Sequence, residues 1–200
     1  MSKDFFKNKA ETYEQDSNRV ANVHTIADSI IERVKLEPSM HLMDFGAGTG
    51  LLLGQIAPHV AKITAVDISP SMTEQLRKKQ ADLPCEVEVL EMDLCTETLD
   101  QQFDGIISSM TLHHIEDVPA MFAKMRSLLK PGGFMAIADL ETEDGSFHTE
   151  DTGVFHLGFD GEALVQLATE AGFNNAEVGL ASTISKPGVD YPVLLLTATV

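Results

Sequence analysis

Asp44-Phe45-Gly46-Ala47-Gly48-Thr49-Gly50 closes a short apolar run at 41–45 and opens a segment of helical period at 51–57. Three glycines in five residues let the backbone turn tightly and approach a ligand with no Cβ in the way. The same stretch also reads as a plain strand-to-helix turn, so its neighbours decide. Further apolar runs at 62–66, 86–90, 105–109 and 134–138 predict strands, and helical periodicity at 71–80 and 118–129 predicts helices between them. Upstream, 18–35 carries Val20, Val23, Ile26, Ala27, Ile30, Ile31 and Val34 at helical spacing, and Glu37-Pro38 stops it. Strand–helix–strand alternation of this kind predicts an α/β fold, an open, doubly wound, Rossmann-like parallel sheet with helices on both faces. A helix at 161–171 ending at Gly172, then strands at 176–184 and 191–200 joined through Lys186-Pro187-Gly188, adds an antiparallel element at one sheet edge. Lys130-Pro131-Gly132-Gly133 reads as a turn before the fifth strand.

Charge and composition narrow the function. The 200 residues carry 31 Asp+Glu against 14 Lys+Arg, a net charge of -17, and no basic run longer than Arg77-Lys78-Lys79, which argues against a nucleic-acid partner. The acidity also disfavours an anionic substrate. No apolar run approaches the roughly 20 residues of a membrane span, and the N-terminus has no apolar targeting core, so a cytoplasmic protein without a membrane span is expected. Cys85 and Cys95 have neither zinc-ligand spacing nor a disulfide framework, which fits a reducing compartment.

Two carboxylates follow strand ends. Asp67 in Val66-Asp67-Ile68 stands about 20 residues beyond the first glycine, where a carboxylate can accept from both hydroxyls of a ribose or simply serve as a capping or loop aspartate. Asp93 in Glu91-Met92-Asp93-Leu94 offers an acceptor with an apolar neighbour for an adenine, or a solvated loop acid. Leu51 stands where the dinucleotide fingerprint has its last glycine, and no Lys-Ser/Thr follows the loop, so both nucleotide motifs are incomplete.

Taken in order, Asp44 to Gly50, Val66-Asp67-Ile68-Ser69, Met92-Asp93-Leu94, Phe103-Asp104-Gly105-Ile106-Ile107-Ser108-Ser109, Leu112-His113-His114-Ile115 and Leu129-Lys130-Pro131-Gly132-Gly133 resemble the class I S-adenosylmethionine-dependent methyltransferases, in particular the ubiquinone/menaquinone-biosynthesis-like small-molecule group. The resemblance implies a seven-stranded sheet whose last strand is inserted antiparallel, and S-adenosylmethionine as cofactor with S-adenosylhomocysteine as product. It places Asp44, Gly46, Ala47, Gly48 and Gly50 on the methionyl part, Asp67 on the ribose, and Asp93 and Leu94 beside the adenine. It puts Ile68 and Met72 along the adenosine, and Ser109 at the end of the fourth strand in the same site. Ala10-Glu11-Thr12-Tyr13 resembles a segment that folds over the cofactor, which makes Tyr13 a lid contact or an anchor for the first helix.

A sulfonium methyl is already activated, so in-line transfer asks mainly for alignment and exclusion of water. An acceptor that must lose a proton needs a base, and His113 and His114 are the candidates at the fourth-strand edge; each also reads as a buried imidazole that shapes the site. Residues 139–160 form a long insertion that reads as a lid on the substrate side, with Phe147, Phe155, Phe159 and Met110 as a possible apolar wall. His148, Glu150, Asp151 and His156 are spaced too irregularly for a metal site, so none is expected. The expectation is one domain over 1–200, capped by a helical segment at 1–37, that methylates a small-molecule acceptor. Alternatives are an NAD-dependent oxidoreductase on the same sheet, or a non-catalytic cofactor-binding regulator or inactive subunit.

Overall fold

The structure is a computed structural model and describes residues 4–148, 150 and 152–200. In chain order the strands are β1 (His41–Phe45), β2 (Lys62–Asp67), β3 (Glu86–Glu91), β4 (Phe103–Ser109), β5 (Leu129–Leu140), β6 (Asn174–Lys186) and β7 (Val189–Thr199). They form one sheet in the order β3-β2-β1-β4-β5-β7-β6. The first five strands pair in parallel, while β7 runs antiparallel to both β5 and β6. The doubly wound α/β expectation therefore holds, and the antiparallel hairpin takes the edge with β7 inserted between β5 and β6. Strand order reverses between β1 and β4, which opens a crevice at their carboxyl ends, the usual ligand position in such sheets.

Both faces of the sheet are buried, and each strand divides its side chains between them. Leu42 of β1 joins a core with α1 (Ser17–Arg33), α2 (Leu51–Ile56) and α3 (Pro70–Lys79); Met43 and Phe45 point to the other core, with α4 (Val118–Leu128) and α5 (Gly161–Glu170). Side chains alternating across a pleated strand that is covered on both faces make these strands read as continuous apolar runs.

Most helices start on a side-chain cap. Asp16 accepts from the Asn18 and Arg19 N–H groups, Ser69 from Met72, Asp117 from Ala120 and Asp160 from Ala163, each satisfying an orphan amide. Helix α2 begins instead at Gly50, in a left-handed conformation that a side chain would strain, with no side-chain cap. Helix α5 ends as read from the sequence: Gly172 N–H donates to the Thr169 carbonyl and Phe173 N–H to Ala168, a Schellman motif.

Strand β5 is longer than its apolar run. Phe103 pairs with Leu129 and Gly105 with Phe134, so Lys130-Pro131-Gly132-Gly133 loops out within the strand instead of preceding it. Gly132 N–H donates to the Val200 carbonyl and Val200 N–H to Gly133, which pins this loop to the last residue. Among the described residues no helix is long and apolar enough to cross a membrane.

The insertion after β5 is zipped shut at its base. Thr142 N–H donates to the Phe159 carbonyl, Glu143 N–H to Leu157 and Phe159 N–H to Leu140. Gly158 sits in that zip at φ 74°, where a Cβ would come within 2.1 Å of the Glu141 carbonyl oxygen. Gly132 shares the positive φ, at 79°, but has open space around it. Gly132→Ala is therefore expected to cost about 1–2 kcal/mol from backbone strain alone, and Gly158→Ala more than about 3 kcal/mol because backbone must move. Denaturant unfolding of the two variants checks this, and equal losses would contradict it.

Candidate functional site

The crevice between β1 and β4 opens into a cavity of about 400 Å³ whose floor is Asp44 and the glycine turn. Asp44, the penultimate residue of β1, has its carboxyl group buried and accepts the Leu53 N–H, while Oδ2 has no partner. Burial first, and the nearby Asp67 charge second, push its pKa up to about 8. Thr49 Oγ1 and Ser109 Oγ, which line the same cavity, are also buried without a partner. Buried polar atoms are normally paired, so these three orphans, with His148 Nε2 as a fourth in the lining of the same cavity, mark groups that a ligand would satisfy.

Gly46, Gly48 and Gly50 all take positive φ. At Gly46 a Cβ would lie 2.2 Å from the Thr111 side chain, and at Gly50 2.5 Å from Leu76 Cδ1, so packing demands glycine at both. At Gly48 a Cβ would meet nothing within 4 Å; this glycine faces open space. Its N–H donates to Asp67 Oδ2 at 2.7 Å, and Ser69 N–H donates to Oδ1 at 2.8 Å. Asp67 therefore ties the tip of the glycine turn to the end of β2. Burial raises its pKa, and the two amide donors pull it back down.

The other residues of the expected cofactor site are unevenly placed. Ala47 and Ser109 line the cavity with Asp44, Gly46 and Gly48. Tyr13 lines it from the N-terminal side, with the Arg19 guanidinium 4.1 Å over its ring. Ile68 lies beside Asp67 with 49% of its surface exposed, and Met72 is buried in the first turn of α3. Asp4 crosses this region, accepting from Ser69 Oγ at 2.9 Å and from Ser71 N–H at 3.3 Å. Asp93 is used locally, accepting from Cys95 N–H and Thr96 Oγ1, and Leu94 is packed into the core on the α4 side.

Opposite the glycine turn, three imidazoles gather. His113 follows β4 and its ring lies 4.2 Å from His114 and 5.0 Å from His148. His113 Nδ1 is 2.6 Å from Asp139 Oδ1, with both side chains buried. Asp139 also accepts from the His113 and Leu140 N–H groups. His114 Nδ1 meets the Gly153 carbonyl. Burial first, and the adjacent His113 imidazole second, lower the pKa of His114, and burial with the neighbouring His113, His114 and Lys186 lowers that of His148 to about 4. Lys186 stands over the Phe147 ring at 3.9 Å and donates to the Phe147 carbonyl.

Phe147 and Met110 line the cavity as expected, whereas Phe155 is 57% exposed and Phe159 packs into the core. His148 lines the cavity, Glu150 pairs with Lys9 and His156 bonds the Ile115 carbonyl, so the three do not gather on a metal; Asp151 lies outside the described residues. Sequence reasoning missed Asp139, Thr49 and Lys186. Asp139 carried a usable signal: like Asp67, it is an acidic residue at the carboxyl end of a parallel strand.

Comparison with known proteins bears on this arrangement. Residues 42–133 match the methyltransferase domain family. An uncharacterized methyltransferase of Schizosaccharomyces pombe is 31% identical over 156 residues, covering 70% of this chain and 55% of its own length. The chain thus spans little more than half of that relative. Among solved structures, Haemonchus contortus phosphoethanolamine N-methyltransferase 2 in complex with S-adenosyl-L-methionine superposes at TM-score 0.75, with 17% identity over 100% of this chain and 60% of its own. A putative methyltransferase in complex with the Haloferax volcanii Trm112 activator superposes at 0.77, with 18% identity over 100% of this chain and 99% of its own. Residues 42–133 thus carry the sequence pattern of a methyltransferase domain, and the whole chain shares the fold of these two solved structures.

Proposed function

We propose that the chain transfers a methyl group from S-adenosylmethionine to a small-molecule acceptor held in the cavity, releasing S-adenosylhomocysteine. One observation carries the reading: Asp44 Oδ2, Thr49 Oγ1 and Ser109 Oγ are buried and unpartnered around the opening that Gly48 leaves. One ionisable acceptor and two hydroxyl donors match the ammonium and carboxylate of an amino-acid tail. Asp67, whose oxygens each accept one amide and keep a second lone pair, suits the two hydroxyls of a ribose. The exposed Ile68 beside it offers an apolar edge for the rest of the adenosine. Asp93 and Leu94, engaged elsewhere, receive no contact in this reading.

When bound, the cofactor supplies a methyl already activated on a sulfonium. The chain's part is positioning and exclusion of water. Asp44 fixes the tail at the floor, and the turn holds it close because Gly48 presents no side chain. Phe6, Lys9 and Tyr13 wall the cavity from the N-terminal side, and Phe147 and His148 wall it from the insertion after β5. In this reading the N-terminal segment and residues 139–160 act as the two covers of the site, and the choice of acceptor rests with the second.

Calorimetry with S-adenosylmethionine, S-adenosylhomocysteine and NAD should show binding of both sulfur compounds and none of NAD; the reverse would overturn the proposal. Asp67→Ala should weaken the sulfur ligands by about 1.5–3 kcal/mol through loss of charge-assisted hydrogen bonds, and an unchanged affinity would remove Asp67 from the site.

Asp44 makes a second prediction, on pH. Its folded pKa of about 8 lies above the value of 3.8 it has when exposed, so the unfolded chain binds fewer protons between those limits and stability falls as pH rises through them. Asp44→Asn lacks this liability. The variant should melt higher than the parent by a margin that widens from about pH 4 to about pH 8, while losing affinity for S-adenosylhomocysteine. A margin that does not change with pH would contradict the buried carboxyl.

A further inference from the structure

Resting on the methyl-transfer reading, we infer that the acceptor is a neutral hydroxyl compound of the phenol or enol type, and that His113 takes its proton while Asp139 orients the imidazole. Asp139 decides the tautomer. Its Oδ1 accepts from the Leu140 N–H at 2.7 Å and lies 2.6 Å from His113 Nδ1, and its Oδ2 accepts from the His113 N–H at 3.1 Å. A carboxylate so surrounded by donors is an acceptor toward Nδ1, which must then carry the proton. In the neutral ring the lone pair then sits on Nε2, which has no hydrogen-bond partner among the described residues, on a ring that lines the cavity. This is the geometry of a base oriented by a carboxylate.

The groups around His113 select a hydroxyl over an amine. From its own turn His114 faces it, from β5 Asp139, and from the insertion His148. Lys186 of β6 and Glu143 act on His148 behind it. Asp139 is spent on His113, and Glu143 directs Oε2 at the Gly145 and Phe147 amides. Lys186 forms no ion pair among the described residues; the Glu143 charge acts on it without contact, and Lys186 is the cation at this end of the cavity, away from the acidic floor. A protonated amine would be repelled there, whereas negative charge developing on an acceptor oxygen is stabilised. Burial holds the pKa of His114 below its ordinary value and that of His148 at about 4, which disfavours the charged form of each ring beside a neutral acceptor.

The step balances. The acceptor O–H bond breaks and its proton passes to His113 Nε2. The oxygen electron pair forms the new O–C bond to the methyl as the C–S bond breaks, with its electrons staying on sulfur. A sulfonium cation becomes a neutral thioether, a methyl ether forms, and the proton leaves His113 for solvent. Asp139 is a positioning residue; His113 is the catalytic one.

The test uses the full chain with a radiolabelled methyl donor and a panel of phenol, 4-cyanophenol, 4-nitrophenol, aniline and benzylamine. Label is expected on the phenolic oxygens and not on the amines. His113→Gln should slow phenol methylation roughly 10²–10³-fold. It should slow the more acidic 4-nitrophenol far less, and leave affinity for S-adenosylhomocysteine within about twofold of the parent. A readout independent of turnover is ¹⁵N NMR of the His113 ring, expected to show Nδ1–H in the parent, mixed tautomers in Asp139→Asn, and a shift at Nε2 when 4-nitrophenol is added. Should Asp139→Asn fail to fold, the parent spectrum alone decides the tautomer. Label on the amines in preference to the phenols, an Nε2–H tautomer, or no response of Nε2 to 4-nitrophenol would each overturn the inference while leaving methyl transfer standing. Failure of S-adenosylhomocysteine to bind the parent protein would instead overturn the methyl-transfer reading, and this inference with it.

Discussion

A carboxyl group buried at the carboxyl edge of β1, with one oxygen left unpartnered, is the constraint around which this molecule is organised. Isolated burial of such a group is unfavourable, and the protein accommodates it by raising the pKa of Asp44 to about 8. A second carboxylate, Asp67, stands close enough to raise it further, and Asp67 is itself held by the amides of Gly48 and Ser69. Two acids converge on one turn, and neither has a cationic side chain as ion-pair partner among the described residues. Evolution seldom keeps an arrangement that costs stability unless a ligand relieves it, and a cationic ammonium and a ribose are what these two acids would accept.

The fold makes that convergence possible. Asp44 and Asp67 come from adjacent parallel strands in register, Asp44 opposite Ala65 and Phe45 opposite Val66, so both strands release their acids at the same edge of the sheet. The reversal of strand order between β1 and β4 leaves no crossover to cover that edge. Left-handed φ values at Gly46, Gly48 and Gly50 then fold the chain back without giving Asp44 Oδ2 a hydrogen-bond partner. Met110 at the end of β4 is held at φ 57°, an uncommon conformation for a side-chain-bearing residue, with its N–H on the Ala138 carbonyl. Strain of this kind gathers at sites that must present a side chain in one place.

Much of this was legible in the sequence, because it is local. The run at 41–45 gave the bounds of β1, and the glycine spacing marked the turn without ambiguity. The cap of α5 at Gly172 was equally plain. Longer-range features were not. Lys130-Pro131-Gly132-Gly133 has the chemistry of a turn, yet β4 pairs on either side of it, and only the partner strand reveals that it is a loop within β5. The pairing of His113 with Asp139 depends on the register of β4 against β5, where Ser109 lies opposite Ala138 and so carries the two chain exits to the same edge. Phe147, Phe155 and Phe159 look equivalent in an irregular stretch. The zip between 140–143 and 157–159 separates them, sending one to the cavity, one to solvent and one to the core.

The most direct measurement is a crystal structure of the chain soaked with S-adenosylhomocysteine. The prediction is a ligand whose ammonium lies within hydrogen-bond distance of Asp44 Oδ2, with its tail against Gly48 and its ribose on Asp67. A ligand bound elsewhere, or a crevice in which side chains take up the three orphaned polar atoms and exclude it, would contradict the assignment of this edge of the sheet as the cofactor site.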